Sequence, residues 1–327
     1  MSTAPDAETL QAARRAPGGL LLALITAAAF GTSGTLAKPL LEAGWSSGAT
    51  VAARVGVGAL VLLVPALLSL RGRWHLLRSH AGLIAVYGVI PIAGCQWAYF
   101  NAVQRLEVGV ALMLEYLGLV LVVGWLWLRH GRRPRRLTLT GVALSLLGLA
   151  LILDLTSATG VDPIGVGWGL LAAVGLAAYF ILSARETNGL PPLVLATFGL
   201  AVGAIALLLA GAVGVLPMTM STDDVAFAGR AVPWWTAVLA LAVVAAAVAY
   251  AVGIAAARAL GSKVASFVGL TEVLFAVLFA WLLLGELPSW IQLVGGALIV
   301  AGVVAVKLDE AEPLADAGVE PDATLAA

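Results

Sequence analysis

The stretch ASFVGLTEVLFAVLFAWLLLGE, residues 265–286, is apolar for most of its length, with a single glutamate, Glu272, placed near its middle. About 20 such residues in a helix span the hydrocarbon of a bilayer. An ionised side chain at the centre of such a helix costs about 2.5–3.5 kcal/mol. The fold therefore turns on whether this stretch lies in lipid, and the function on what its acid faces there. Composition answers the first question. Of the 327 residues, 61% are hydrophobic and 11% charged, against about a quarter charged in soluble proteins. Mean hydropathy is +1.04. Apolar runs recur along nearly the whole chain, too long and too uniform for the alternating strands of a barrel. Helices satisfy their own backbone in lipid and are the expected element.

Working outward, the pattern predicts ten spans: 18–37, 46–70, 81–103, 107–128, 138–154, 164–183, 192–216, 234–256, 263–284 and 290–307. The expected fold class is all-α integral membrane, with short connections. A polar segment, 1–17, and an acidic tail, 308–327, hold too little apolar surface for a core and are expected to be disordered. Arg14-Arg15 before GGLLLALITAAAF has the look of a signal peptide, but the apolar stretch runs on past Gly34 and nine spans follow, so a first transmembrane helix is the reading. The formal charge is balanced, 18 basic against 18 acidic residues, which argues against a nucleic-acid partner. The single Cys95 excludes an internal disulfide and a multi-cysteine metal site.

Cytoplasmic loops carry most Lys and Arg. With the N-terminus inside, the inner loops hold nearly all of them, including RHGRRPRR at 129–136, whereas only Lys38, Arg105 and Arg230 fall outside and Arg54 lies within a span. The predicted topology has both termini cytoplasmic in a plasma (inner) membrane. RHGRRPRR serves as a topology anchor in this reading, with anionic lipid headgroups as its alternative partner.

Residues 106–148 laid on 260–302, a constant offset of 154, match at Val110/Val264, Ala111/Ala265, Trp127/Trp281, Gly131/Gly285, Pro134/Pro288, Gly141/Gly295 and Gly148/Gly302, among others. Shared hydrophobicity alone does not align Trp, Pro and three glycines. Phe30 likewise overlies Phe180, and Gly58-Ala59 overlies Gly203-Ala204. The chain reads as two copies of a five-helix unit, 18–154 and 164–307. Five is odd, so the second copy is expected to cross the membrane inverted. The basic RHGRRPRR after the fourth span, against GELPS after the ninth, agrees with that.

The pattern W-L-x-x-G-x-x-P followed by G-x-A-L-x-x-x-G, and above all TEVLFAVLFAWLLLGELPSWIQLVGGALIVAGVV at 271–304, resembles the EamA domain of the drug/metabolite transporter superfamily. The resemblance covers 18–307 as two tandem domains. The first half departs from it at Gly131-Arg132, where the family commonly has an acid after the glycine, as in Gly285-Glu286. The resemblance implies a ten-helix inverted-repeat carrier of small metabolites or amino acids, with a central cavity between the halves. Its efflux members make export the expected direction.

Away from span ends, the charged side chains within the spans are Arg54, Glu115 and Glu272. Glu115 lies eight residues into its span and Glu272 nine, roughly 12–14 Å deep at 1.5 Å per residue. The repeat sets Glu272 over Gly118, one helical turn beyond Glu115, so the two acids hold near-equivalent places in the two halves. Inverted-repeat transporters put substrate and coupling groups there. The chemistry open to these acids is binding a substrate amine or exchanging a proton; the plain alternative is a protonated acid bonded to a neighbouring helix. Arg54, at similar depth, is expected to pair with Glu115, with a substrate carboxylate or a backbone carbonyl as alternatives. Gly199 stands at its equivalent in the second half.

Gln96, Tyr99 and Asn101 of the third span are candidate cavity residues, as are Tyr116, Tyr179, Tyr250, Ser266 and Thr271. Each also suits a helix–helix hydrogen bond. His75, His80 and His130 lie in short basic loops, and no HExxH pair or P-loop is present, so a membrane enzyme lacks visible chemistry. No cofactor or metal is expected. The expected function is a secondary-active transporter working by alternating access, with a small-molecule substrate and lipid as partners. The alternative is a channel or uncoupled facilitator, and a homodimer is open as an assembly.

Overall fold

The computed structural model describes residues 7–118, 120–121, 136–152, 162–183, 189–227, 229–253, 256, 268–269 and 271–309. Its elements are α1 (Ala7–Glu42), α2 (Ser47–Ser69), a short α3 (His75–Ser79), α4 (Ala81–Val103), α5 (Val108–Tyr116), α6 (Arg136–Ile152), α7 (Pro163–Ser183), α8 (Pro192–Ala212), the strands β1 (Val225–Phe227) and β2 (Arg230–Val232), α9 (Trp234–Gly253), α10 (Thr271–Leu284) and α11 (Trp290–Asp309). This is the architecture of an all-α, multi-pass membrane protein. Among the described residues, five helices are long and apolar enough to cross a bilayer: Gly18–Glu42, α2, α4, Leu193–Ala212 and α9. Further apolar helices are shorter.

Local chemistry sets the helix ends. Ser46 caps α2, its hydroxyl accepting from the Ala49 N–H at 3.3 Å. Pro192 stands at the first turn of α8, where its missing N–H is no loss. Gly285, at φ +73°, ends α10 in a left-handed turn, with its N–H on the Trp281 carbonyl and the Glu286 N–H on the Ala280 carbonyl. Two departures from expectation stand out. Residues 7–17, expected to be disordered, are helical and continue into the first span; AETLQAARRA is rich in strong helix formers, and a helix already nucleated in its apolar part extends along them at little cost. The connection before α9 is also more than a short loop. It carries the antiparallel hairpin β1–β2, paired Val225 to Val232 and Phe227 to Arg230.

The packing pairs helices in a recurrent way. α2 lies along α8 and α6 along α11, while α1 contacts α10 and α9, as α7 contacts α5 and α4. α2 also meets α9, and α8 meets α4. The close approaches repeat atom for atom. A Cβ on Gly58 would lie 2.9 Å from Ala246 Cβ and 3.6 Å from the Ala242 carbonyl oxygen; on Gly203 it would lie 3.0 Å from Ile92 Cγ2 and 3.0 Å from the Gly88 carbonyl oxygen. Subtracting 154 from the first set of partners gives the second. In α6 and α11, Gly148 abuts Gly295 and Ile299, while Gly302 abuts Gly141 and Ser145, all three pairings separated by the same 154. α4 and α9 each contain one π-helical stretch, Gly88–Gly94 and Val243–Val248, again at matching places. Such turns break the regular ladder and often mark functional positions.

Candidate functional site

The charged residues that the sequence places at mid-span are brought together inside the bundle. Arg54 of α2 is 2% exposed and Glu115 of α5 is 6% exposed. Glu272 opens the described part of α10. Its carboxylate Oε2 accepts the Tyr116 hydroxyl at 3.1 Å, a bond from one half of the chain to the other. Tyr116 follows Glu115 directly, and the two acids lie within electrostatic reach of each other. Glu272, Gln96, Tyr116 and Tyr250 are each partly buried.

The expected Arg54–Glu115 ion pair is not formed. Arg54 donates instead to the side-chain oxygen of Gln96 and, through Nη2, to the Ala245 carbonyl at 2.9 Å. Its guanidinium lies 5.6 Å from the centre of the Phe100 ring. Ala245 belongs to the π-helical stretch of α9. Glu115 Oε1 accepts from the Cys95 thiol at 3.3 Å, and Cys95 Sγ is equally close to the Ala172 carbonyl. The acid's slot is thus filled by Cys95, the residue directly before Gln96 in α4, and the arginine bonds to neutral acceptors.

Of the remaining candidates, Tyr99 and Tyr250 fall within electrostatic reach of Arg54, and Tyr179 within reach of Tyr116 and Tyr250. Tyr250 packs edge-on against Phe30 with ring centres 5.1 Å apart, and Tyr179 lies 5.9 Å from Tyr87. Gly34 leaves room for the Tyr99 hydroxyl, where a Cβ would come within 2.5 Å of it. Asn101 and Thr271 use their polar atoms locally, on the Trp97 carbonyl at 2.7 Å and the Val268 carbonyl at 2.6 Å. Ser266 lies outside the described residues. Cys95 was not singled out by sequence; a lone thiol in an apolar span carries no signal until its neighbour is known.

A second charged cluster sits at the end of the bundle that the basic-residue count puts outside. Lys38 at the end of α1 forms an ion pair with Glu286. Glu286 Oε2 also accepts the Val108 N–H at 3.1 Å, capping α5 from the opposite half of the chain. The cap residue of α5, Glu107, makes no such bond itself, and its Oε2 is buried without a hydrogen-bond partner. The left-handed turn at Gly285 is what throws Glu286 back over this end. Nearby, Arg105 pairs with Asp162 at 3.1 Å; the Ile164 N–H and then this arginine hold the Asp162 carboxyl below its ordinary range. Segment 217–221 crosses the same end, taking the Ser46 hydroxyl on the Pro217 carbonyl at 2.7 Å and the Trp45 indole N–H on the Ser221 carbonyl at 2.8 Å. Glutamine at 286 keeps an acceptor for Val108 but loses the ion pair, whereas alanine loses both. Glu286→Ala is therefore expected to be less stable than Glu286→Gln by about 1 kcal/mol, the value of a helix cap, as read by thermal unfolding in detergent.

The EamA-like transporter family profile matches residues 17–154 and again 163–308. An inner membrane transporter of Salmonella typhimurium, YicL, whose function is uncharacterised, is 23% identical over 300 residues, covering 89% of this chain and 95% of its own. An uncharacterised transporter of Archaeoglobus fulgidus is 29% identical over 225 residues, 68% of this chain and 73% of its own. A solved crystal structure with 22% sequence identity superposes with a TM-score of 0.58, over 89% of this chain and 98% of its own.

Proposed function

Because the chain belongs to the EamA-like transporter family, we propose that it is a secondary-active carrier of small metabolites or amino acids, working by alternating access around a midplane cavity and moving its substrate outward. In this reading ten helices form two inverted five-helix repeats, 18–154 and 164–307, with both termini in the cytoplasm of an inner membrane. The matched glycine contacts at an offset of 154 support the repeat. Helices α2, α6, α8 and α11 pair with their own mates, as the self-complementary contacts of a twofold arrangement do.

The observation that carries the reading is the bond from the Tyr116 hydroxyl to Glu272, beside Glu115 and inside the apolar bundle. Two carboxyl groups kept there, at the meeting of the two halves, have a cost that a purely structural helix contact does not require. Inverted-repeat carriers hold coupling and substrate groups at this place. Glu272 and Glu115 bind the substrate's amine or exchange protons with it, and Gln96, Tyr99, Tyr116, Tyr179 and Tyr250 line the cavity. The Lys38–Glu286 pair, the α5 cap and the 217–221 strap form the outer gate, joined in the present state.

The test is counterflow in proteoliposomes. A carrier shows saturable flux of labelled substrate accelerated by unlabelled substrate on the far side. A channel or facilitator, the second reading, shows flux that rises linearly with concentration and no acceleration. Linear, unaccelerated flux across a broad substrate panel overturns the carrier proposal.

A further inference from the structure

A thiol has one hydrogen to donate. Cys95, the chain's single cysteine, is buried where α4, α5 and α7 meet, and its Sγ stands 3.3 Å from two oxygens, Glu115 Oε1 of α5 and the Ala172 carbonyl of α7. Other short polar side chains in the apolar helices turn back on their own backbone, Ser145 onto the Gly141 carbonyl at 3.0 Å and Thr197 onto the Leu193 carbonyl at 2.8 Å. Cys95 turns to two other helices instead. It follows the π-helical stretch Gly88–Gly94, with its N–H on the Ile90 carbonyl five residues back. Gly175 brings α7 directly against it, since a Cβ there would lie 2.5 Å from Cys95 Cβ and 3.0 Å from Sγ.

The two acceptors compete for one hydrogen, and charge decides between them. A hydrogen bond to an ionised group is roughly twice as strong as one between neutral groups. As a carboxylate, Glu115 takes the thiol hydrogen; once protonated it loses that advantage, and the Ala172 carbonyl stands at the same distance. A thiol is a weak donor, so either bond is given up at little cost. The other groups around Glu115 act differently. Arg54 of α2 and Glu272 of α10 act through their charge. Tyr99 of α4 and the adjoining Tyr116 are within electrostatic reach, and the Tyr116 hydroxyl is engaged by Glu272. Tyr179 of α7 lies by Tyr116 and Tyr250. α11 meets α5 where Gly296 touches Met113, and its ionisable residues, Lys307 and Asp309, come only in its last turn. The second half has Ala249 at the place matching Cys95, so of the two acids only Glu115 has a thiol beside it.

Resting on the reading of Glu115 as a coupling group, we propose that Cys95 is its positioning residue: the thiol hydrogen lies on Glu115 while that acid is ionised and turns to the Ala172 carbonyl when the acid takes up a proton. Held by the thiol, the charged Glu115 stays off Arg54, which leaves the guanidinium to Gln96 and the Ala245 carbonyl. Proton uptake frees the acid and gives α7, a helix of the second half, the bond from α4 of the first. A proton at Glu115 is thereby felt where the two halves meet.

The experiment is an infrared pH titration of the full chain in lipid vesicles, which needs no substrate. With a single cysteine in the chain, the S–H stretching band belongs to Cys95 alone. The carbonyl band of protonated Glu115 is the one lost in Glu115→Gln. The expected result is an S–H band that shifts with pH at the same midpoint as the Glu115 carbonyl band, and that stands still in Glu115→Gln. If that variant does not fold, Glu115→Asp takes its place: its carboxyl ends one methylene short of the thiol, and the S–H band is again expected to stand still. Cys95→Ala is expected to move the Glu115 midpoint by about one pH unit, the size of a modest hydrogen bond to a charged group. Cys95→Ser, which restores a donor, is expected to bring it back toward the wild-type value. An S–H band that ignores pH, or one that shifts equally without the Glu115 carboxyl, overturns the proposal. So do equal midpoints in wild type and Cys95→Ala, which mark a cysteine that only fills space. A Glu115 carboxyl that does not titrate overturns it as well, while the carrier reading stands or falls separately on counterflow.

Discussion

Replacing Glu272 with glutamine is expected to flatten the pH dependence of transport while the protein still folds and reaches the membrane. The carboxamide has nearly the shape of the acid and retains an oxygen that accepts the Tyr116 hydroxyl, now at 3.1 Å. What it loses is the ability to bind and release a proton. One pH unit is worth about 1.36 kcal/mol per proton, equivalent to a tenfold substrate ratio across the membrane. A one-proton exchanger therefore accumulates substrate about tenfold against a one-unit gradient, and Glu272→Gln should reduce that ratio to one. Glu115→Gln is the companion variant, because its carbonyl still accepts from the Cys95 thiol at 3.3 Å. Loss in the first variant alone assigns the proton to Glu272. An unchanged pH profile in Glu272→Gln removes it as the coupling group.

The second large effect is expected at the crossing of α6 and α11. A side chain on Gly148 would place its Cβ 2.8 Å from Ile299 Cγ1 and 3.0 Å from the Ile299 nitrogen; one on Gly302 would come 2.9 Å from the Ser145 nitrogen. On Gly148 the Cβ falls closest of all to the Gly295 backbone carbonyl, and on Gly302 it falls equally close to the Gly141 backbone carbonyl and the Ser145 hydroxyl. Backbone in a packed helix has no rotamer to yield with, so the two helices must move apart. Overpacking of this kind costs about 1–3 kcal/mol, occasionally more. Gly148→Leu and Gly302→Leu are therefore both expected to lower the unfolding midpoint sharply, and by similar amounts because the contacts are mates. A large loss at one and none at the other contradicts the symmetric packing proposed here.

Much of the site was legible in the sequence for a simple reason. In a span where nearly every residue is apolar, an ionisable one stands out, and lipid forbids it an outward face. Arg54, Glu115 and Glu272 were picked out on that ground alone, with a common depth as the matching expectation. Their partners did not. The Arg54–Glu115 pair was expected from depth and opposite charge, but hydrogen bonding depends on which side chains project into the same gap. Gln96 and the Ala245 carbonyl lie in that gap. Likewise Asn101 and Thr271 turn back to their own helices, a choice open to any Asn or Thr in a helix. Glu286 was visible only as part of a family pattern; its bond to Val108 is made 178 residues away along the chain.

Composition, run length and the internal repeat by themselves determined that this is a membrane protein of apolar helices, because burial in lipid is a property of each segment and leaves its mark on each segment's residues. Which donor serves which acid, where α4 and α9 open into π-helical turns, and that Arg54 bonds to Gln96 and the Ala245 carbonyl rather than to an acid were decided only by tertiary structure. Those outcomes depend on angstrom-scale competition among groups brought together from distant parts of the chain, and no local pattern of residues encodes the result of that competition.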